Sequence, residues 1–163
     1  MGKDMTVACG DGFVNIRVGA IIEKNGKVLM VGNDRSDYLY SVGGRIQFGE
    51  TAEQAVEREV FEETGIHMQV DRLGFVHENY FFSDIPANLG KLIYEISFFF
   101  YMKVPENFVP KCESFTEDES KEYLKWVSPN EEEKKIYPAF FIMELSRPQS
   151  DVRHFVTDER NNL

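Results

Sequence analysis

Residues 44–66 read GRIQFGETAEQAVEREVFEETGI, and the fold and chemistry expected of the whole chain turn on this stretch. Thr51, with Gln54 three residues later, has the form of a capping box, in which each side chain satisfies a backbone N–H at a helix start. Gly65 supplies the stop, because glycine closes a helix in the left-handed conformation without steric cost. A helix is therefore expected from Thr51 to Thr64. At about 100° per residue, with Ala52 at zero, Ala55 falls at about −60°, Val56 at about +40° and Val60 at about +80°. That stripe is the face to bury. Glu59 at about −20° and Glu63 at about +20° interrupt its middle, and Glu62 flanks it at about −80°.

A buried carboxylate with no partner is so costly that it protonates, recruits a counter-charge or coordinates a cation. Converging carboxylates suit a hard divalent ion, Mg2+ or Mn2+. Glu59 and Glu63 share one face a turn apart, which makes them the principal ligand candidates. Arg58 stands one turn before Glu62 and is placed for an i,i+4 ion pair with it. Composition alone would allow the same glutamates to coat a solvated helix, as Glu53 and Glu57 are expected to do. The phase of Glu59 and Glu63 argues otherwise.

The fixed residues are Gly44, Glu50, Arg58-Glu59-Val60, Glu62-Glu63 and Gly65-Ile66. This spacing resembles the signature box of the Nudix hydrolases at all nine positions over 23 residues. The resemblance implies an α/β fold, an α/β/α sandwich with a mixed sheet between helices. It also implies cleavage of a phosphoanhydride bond in a nucleoside diphosphate linked to another moiety, or in a nucleoside triphosphate. The implied cofactor is Mg2+ or Mn2+. Glu59, Glu63, Glu62, Glu50 and the carbonyl of Gly43 become metal-ligand candidates, with Glu62 either a third ligand or the general base. Glu62, Glu59 and Arg58 form the expected catalytic set, Arg58 orienting a glutamate. The family commonly has proline before its glycine pair, where this chain has Val42.

Substrate choice is not settled by the same means. ADP-ribose hydrolases of the family often carry proline at the position of Tyr80, and dinucleoside polyphosphate hydrolases tyrosine at the position of Ser83, so neither subclass is indicated. Oxidised nucleoside triphosphates, nucleotide sugars and other X-linked nucleoside diphosphates stay open. Arg45 and Arg35, on either side of the glycine pair, are candidates for phosphate contact, since a guanidinium binds phosphate oxygens bidentately. Tyr80 is a candidate for substrate contact among the strand aromatics, one or two of which are expected to stack on a base. Two other readings remain: a nucleotide-sensing module that binds without cleaving, and a prenyl diphosphate isomerase, whose cysteine context is not evident around Cys9 or Cys112.

A chain of 163 residues suits one domain, 1–163, with 1–11 a loose or partly paired start and 157–163 a fraying end. A formal charge of −10 disfavours a nucleic-acid partner, and no apolar run is long enough for a bilayer. Two widely spaced cysteines and no recognisable leader make the cytoplasm the default, with a small nucleotide as partner and a homodimer possible. Asn25-Gly26 between β-rich runs at 15–22 and 27–31 signals a hairpin. Strands are expected at 68–70, 73–82, 92–104 and 123–127, with a short one at 153–156. Helices are expected to open at Ser128 and to run from Pro138 to Leu145. Glu95 sits in an apolar strand, either as a site carboxylate or as a partner of Arg17 or Lys103. The acidic loop 107–122, with Glu113, Glu117, Asp118, Glu119 and Glu122, could supply a further carboxylate.

Overall fold

Alternation of side chains along the strands builds a sheet with two buried faces. The structure, a computed structural model, describes residues 2–109, 114–115 (backbone only), 121–147 and 150–162. Strands β1 (Thr6–Cys9), β2 (Gly12–Ile21), β3 (Glu23–Lys24), β4 (Lys27–Asn33) and β5 (Tyr38–Arg45) precede helix α1 (Ala52–Thr64). Then come β6 (Val70–Phe82), β7 (Leu92–Met102), β8 (Ser114–Phe115), β9 (Lys121–Val127), β10 (Lys135–Tyr137), helix α2 (Phe141–Glu144) and β11 (Arg153–Asp158). The sheet order is β11-β6-β7-β2-β5-β4-β9-β8, with β1 on β2, β10 on β5 and β3 on β4. Pairing is mixed: β2 with β7, β6 with β11 and β5 with β10 are parallel.

Period-2 alternation sends Ala20, Leu29, Val31 and Phe100 to one side, where they bury Ala55, Val56 and Val60 of α1. Ile21, Val28, Met30 and Phe99 go to the other side, where Phe141 of α2 lies. The fold is thus α/β, with helix on each sheet face, but the second helix is a single turn. Phe140 and Phe141 are both drawn into one aromatic cluster: Phe141 meets Phe99 and Phe75, and Phe140 stacks on Phe155 at 4.5 Å. Helix over 138–145 is accordingly confined to the one turn Phe141–Glu144.

Other expectations need correcting. The chain after Ser128 turns rather than forming a helix: Glu131 and Glu132 N–H donate to the Ser128 carbonyl, and the carboxylate of Glu132 is held by Lys125. Three successive glutamates offer no apolar face there, and the chain goes on to bury Ile136 in β10. The Asn25-Gly26 hairpin exists with both residues at positive φ, but only its tip is a hairpin; β5 lies between the long strands β2 and β4. The start of the chain is paired, with β1 on β2 and Met5 N–H donating to the Ile46 carbonyl. At the other end β11 runs to Asp158, and His77 Nε2 lies 2.8 Å from Thr157 Oγ1. Among the described residues no helix is long and apolar enough to cross a membrane.

Two outcomes follow from this packing. Phe141 is fully buried, so Phe141→Ala should cost about 3–5 kcal/mol in urea denaturation. Burial, then the nearby His154, depress the His77 pKa from 6.5 to about 4. Between those values the unfolded chain binds the proton and the native one does not, so stability falls as pH falls through that window. Replacing His77 with Gln should flatten the acid limb of a stability profile between about pH 6.5 and pH 4.

Candidate active site

The helix that carries the box is fixed at both ends. Thr51 Oγ1 accepts from Gln54 N–H at 3.2 Å and Gln54 Oε1 from Thr51 N–H at 2.9 Å, while Gly65, at φ 74°, donates to the Phe61 carbonyl. These local bonds set the rotation of α1 and turn Glu59 and Glu63 toward β5. A Cβ at Gly44 would come within 2.4 Å of the Glu59 carboxyl, which would have to swing away from the strand. Gly43 is confined, because its Cβ would meet the Val18 carbonyl oxygen at 2.2 Å. The glycine pair lets a carboxylate pack flat against strand backbone.

Arg58 organises the cluster. Its Nε and Nη2 donate to the two oxygens of Glu50 at 2.6 and 3.1 Å, its Nη1 to Glu59 at 2.7 Å, and Nη2 also to the Arg45 carbonyl at 3.1 Å. The i,i+4 contact to Glu62 expected from sequence is its longest, at 3.4 Å. Glu50 was expected as a metal ligand, but it is already committed to Arg58 and to the Gln47 N–H, and the Arg58 bonds hold its carboxyl below the ordinary range. Here Glu50 anchors the arginine. The Glu59 side chain is 14% exposed, and burial raises its pKa against the pull of Arg58.

Glu63 is the exceptional group. Its Oε1 has one long bond from the Gly43 N–H, at 3.4 Å, and its Oε2 is buried with no hydrogen-bond partner among the described residues. Burial, then the charges of Glu122 and Glu59, push its pKa up to about 8. Gly43 therefore reaches this carboxylate through its N–H. An orphaned buried carboxylate oxygen beside a second buried carboxylate is a donor set that fits a hard divalent cation. Among the described residues no three His, Cys, Asp or Glu side chains already form a coordination shell. Glu62 lies at the rim, with its side chain 55% exposed.

One neighbour was not visible in the sequence. Tyr40 donates to Glu122 Oε1 at 2.7 Å, and burial and then Glu122 raise the tyrosine's pKa. This brings one carboxylate of the acidic loop to the edge of the cluster; Glu113, Glu117, Asp118 and Glu119, like Cys112, lie outside the described residues. Tyr40 precedes Val42 by one strand period, the only signal that could have pointed to it.

The candidate substrate residues separate. Arg45 is opposite Arg17 in the β2–β5 register, so both guanidinium groups stand on one face, each 34% exposed. Arg17 lowers the pKa of Glu59 and Glu63 from there. Their ion pairs are loose, 3.7 Å to Asp4 and 3.9 Å to Glu95. Arg35 belongs to the Asn33–Ser36 turn, its N–H donating to Asn33 Oδ1, and Asn33 is opposite Glu122. Tyr80 does not join this group. It stacks on Tyr94 at 4.3 Å beneath the Arg160 guanidinium, on the opposite sheet face to Arg17, and lines a groove of about 820 Å³ that also contains Cys9, Phe13 and Leu89.

Removing Arg58 would strand the half-buried carboxylates it holds. Arg58→Ala should destabilise the fold by about 3 kcal/mol in chemical denaturation, more than Glu62→Ala, which removes only the longest contact at the exposed rim.

Comparison with known proteins agrees with this fold. A stretch of 61 residues is 36% identical to a MutT-like protein of Streptomyces ambofaciens and spans 37% of this chain and 40% of that relative. An ADP-ribose pyrophosphatase from Streptococcus suis superposes with a TM-score of 0.57 at 15% identity, over 86% of this chain and 98% of the other. A MutT protein from Bacillus halodurans gives the same TM-score at 17% identity, over 87% and 90%. These structural likenesses show a shared fold. The family model described as the NUDIX domain matches residues 14–141, and on that coverage the chain belongs to the NUDIX domain family.

Proposed function

We propose that the protein is a Mg2+- or Mn2+-dependent pyrophosphohydrolase acting on a nucleoside diphosphate linked to another moiety, or on a nucleoside triphosphate. Membership of the family makes it a Nudix-type hydrolase of acid anhydrides, and the finer statement rests on one observation: the orphaned, buried Oε2 of Glu63 beside the buried carboxylate of Glu59. Similar folds include proteins named ADP-ribose pyrophosphatase and MutT, which supports a nucleotide substrate. The acidic composition and scarcity of cysteine favour a small-molecule enzyme of the cytoplasm.

Glu59 and Glu63 would hold the cation, with the Gly43 carbonyl as a further oxygen donor. When bound, it supplies charge neutralisation on the phosphate oxygens. Arg58 fixes the Glu59 carboxylate and, through Glu50, the turn that leads into the helix. Arg17 and Arg45 face the phosphates from the strand side. Glu62, exposed and lightly held, takes the proton of the attacking water. The water oxygen forms the new P–O bond, and the bridging oxygen leaves with its electron pair to complete the second phosphate.

The test incubates the protein with Mg2+ and a panel of nucleoside triphosphates, nucleotide sugars and ADP-ribose, and measures phosphate products. Glu63→Gln should lower kcat by at least about 100-fold with an unchanged circular dichroism spectrum. Full activity in the folded variant would overturn the site assignment; binding without any product from the wild type would favour a sensor.

A further inference from the structure

Four polar residues stand in line across neighbouring strands. Thr6 is opposite Asn15, Asn15 opposite Glu95, and Glu95 opposite Asn79, so β1, β2, β7 and β6 each contribute one side chain to the same face. Two residues along, that face carries Arg17, Ser97 and His77; four along, it becomes the aromatic floor of Phe99 and Phe75 under α2. The apolar alternation of the strands would place hydrophobic residues at this row.

The row is short of hydrogen bonds. Asn15 is only 6% exposed, and Asn15 Oδ1, Asn79 Oδ1 and Thr6 Oγ1 are all buried without a partner among the described residues. Arg17 does not satisfy Glu95, because their separation of 3.9 Å is beyond hydrogen-bond range. Buried oxygens left in this state cost stability, and three of them in register around a carboxylate are not explained by packing. The amide oxygens of Asn15 and Asn79 lack an N–H or O–H donor, and the Thr6 hydroxyl lacks a partner of either kind. Asn15 lies two residues from Arg17 along β2, about 7 Å by strand geometry, and Arg17 is opposite Arg45, whose carbonyl is tied to Arg58. The row therefore begins where the phosphate-facing arginines end.

We propose that Thr6, Asn15, Glu95 and Asn79 form the surface that selects the non-phosphate part of the substrate, a moiety presenting N–H or O–H donors, from either a nucleobase edge or a sugar. Specificity then comes from a line of oxygens that stay unsatisfied until substrate arrives. The phosphate end of this inference rests on the pyrophosphohydrolase reading, and the test separates the two.

Binding of the four nucleoside 5′-monophosphates, ribose 5-phosphate and inorganic phosphate to the intact protein is measured by calorimetry, which needs no turnover. Wild type is compared with Asn15→Leu and Asn79→Leu, each also followed in thermal melts. At least one sugar-bearing phosphate should bind more tightly than inorganic phosphate and lose about tenfold in either variant, with inorganic phosphate unaffected. Neither melting temperature should fall, because no bond made in the free protein is removed. A loss shared by ribose 5-phosphate assigns the donors to the sugar, and a loss confined to nucleotides assigns them to the base. Unchanged nucleotide affinity in both variants, or an equal loss for inorganic phosphate, would overturn the proposal. The expected binding pattern without Mg2+-dependent hydrolysis would leave the row standing and overturn the hydrolase reading.

Discussion

Arg58 makes five contacts to four groups, and the local architecture of the cluster depends on it. Its fork closes on both oxygens of Glu50 before the helix, on Glu59 within the helix, on Glu62 at the rim and on the Arg45 carbonyl in the strand. Loop, helix and strand are thereby locked in one geometry by a single planar cation. With Glu50 paired and Glu59 held by Arg58 against its burial, the charge problem is sharpest at Glu63. That carboxyl has one weak N–H bond and an orphaned oxygen, and burial with two neighbouring carboxylates pushes its pKa up to about 8. A fold that could bury valine there instead keeps a group whose stability improves when a cation binds.

The sheet supplies the second constraint. Its two faces are packed differently: α1 covers one with Ala55, Val56 and Val60, while a single aromatic turn covers part of the other. Beyond Phe75 and Phe99 that second face turns polar, with Arg17, Arg45, Asn15, Glu95 and Asn79 in register. The same short helix that was expected to be longer is what leaves this polar face available.

What was legible from sequence was local. Thr51, Gln54 and Gly65 carry their capping geometry within a few residues, and the helical phase of Glu59 and Glu63 needs only a 100° rotation per residue. What was not legible depends on partners far away in the chain. The Tyr40–Glu122 bond joins residues 82 apart, and the insertion of β5 between β2 and β4 cannot be inferred from a hairpin signal at Asn25-Gly26. Glu50 could be read as a carboxylate of the box, but its pairing with Arg58 is a matter of side-chain geometry. The helix expected after Ser128 failed because capping residues were present without an apolar stripe to bury, and the one expected from Pro138 to Leu145 is cut to the single turn Phe141–Glu144. Tyr80, taken for a substrate contact, belongs by strand parity to the face opposite Arg17.

The central claim is that Glu63 is a buried ligand awaiting a cation, and Mn2+ titration followed by the free-ion electron paramagnetic resonance signal tests it most directly. Mn2+ should be taken up at pH 8.5, more weakly at pH 6, where a proton competes for a carboxyl whose pKa is about 8, and not by a folded Glu63→Gln variant. Equal uptake by wild type and Glu63→Gln, or none by the wild type at pH 8.5, would contradict it.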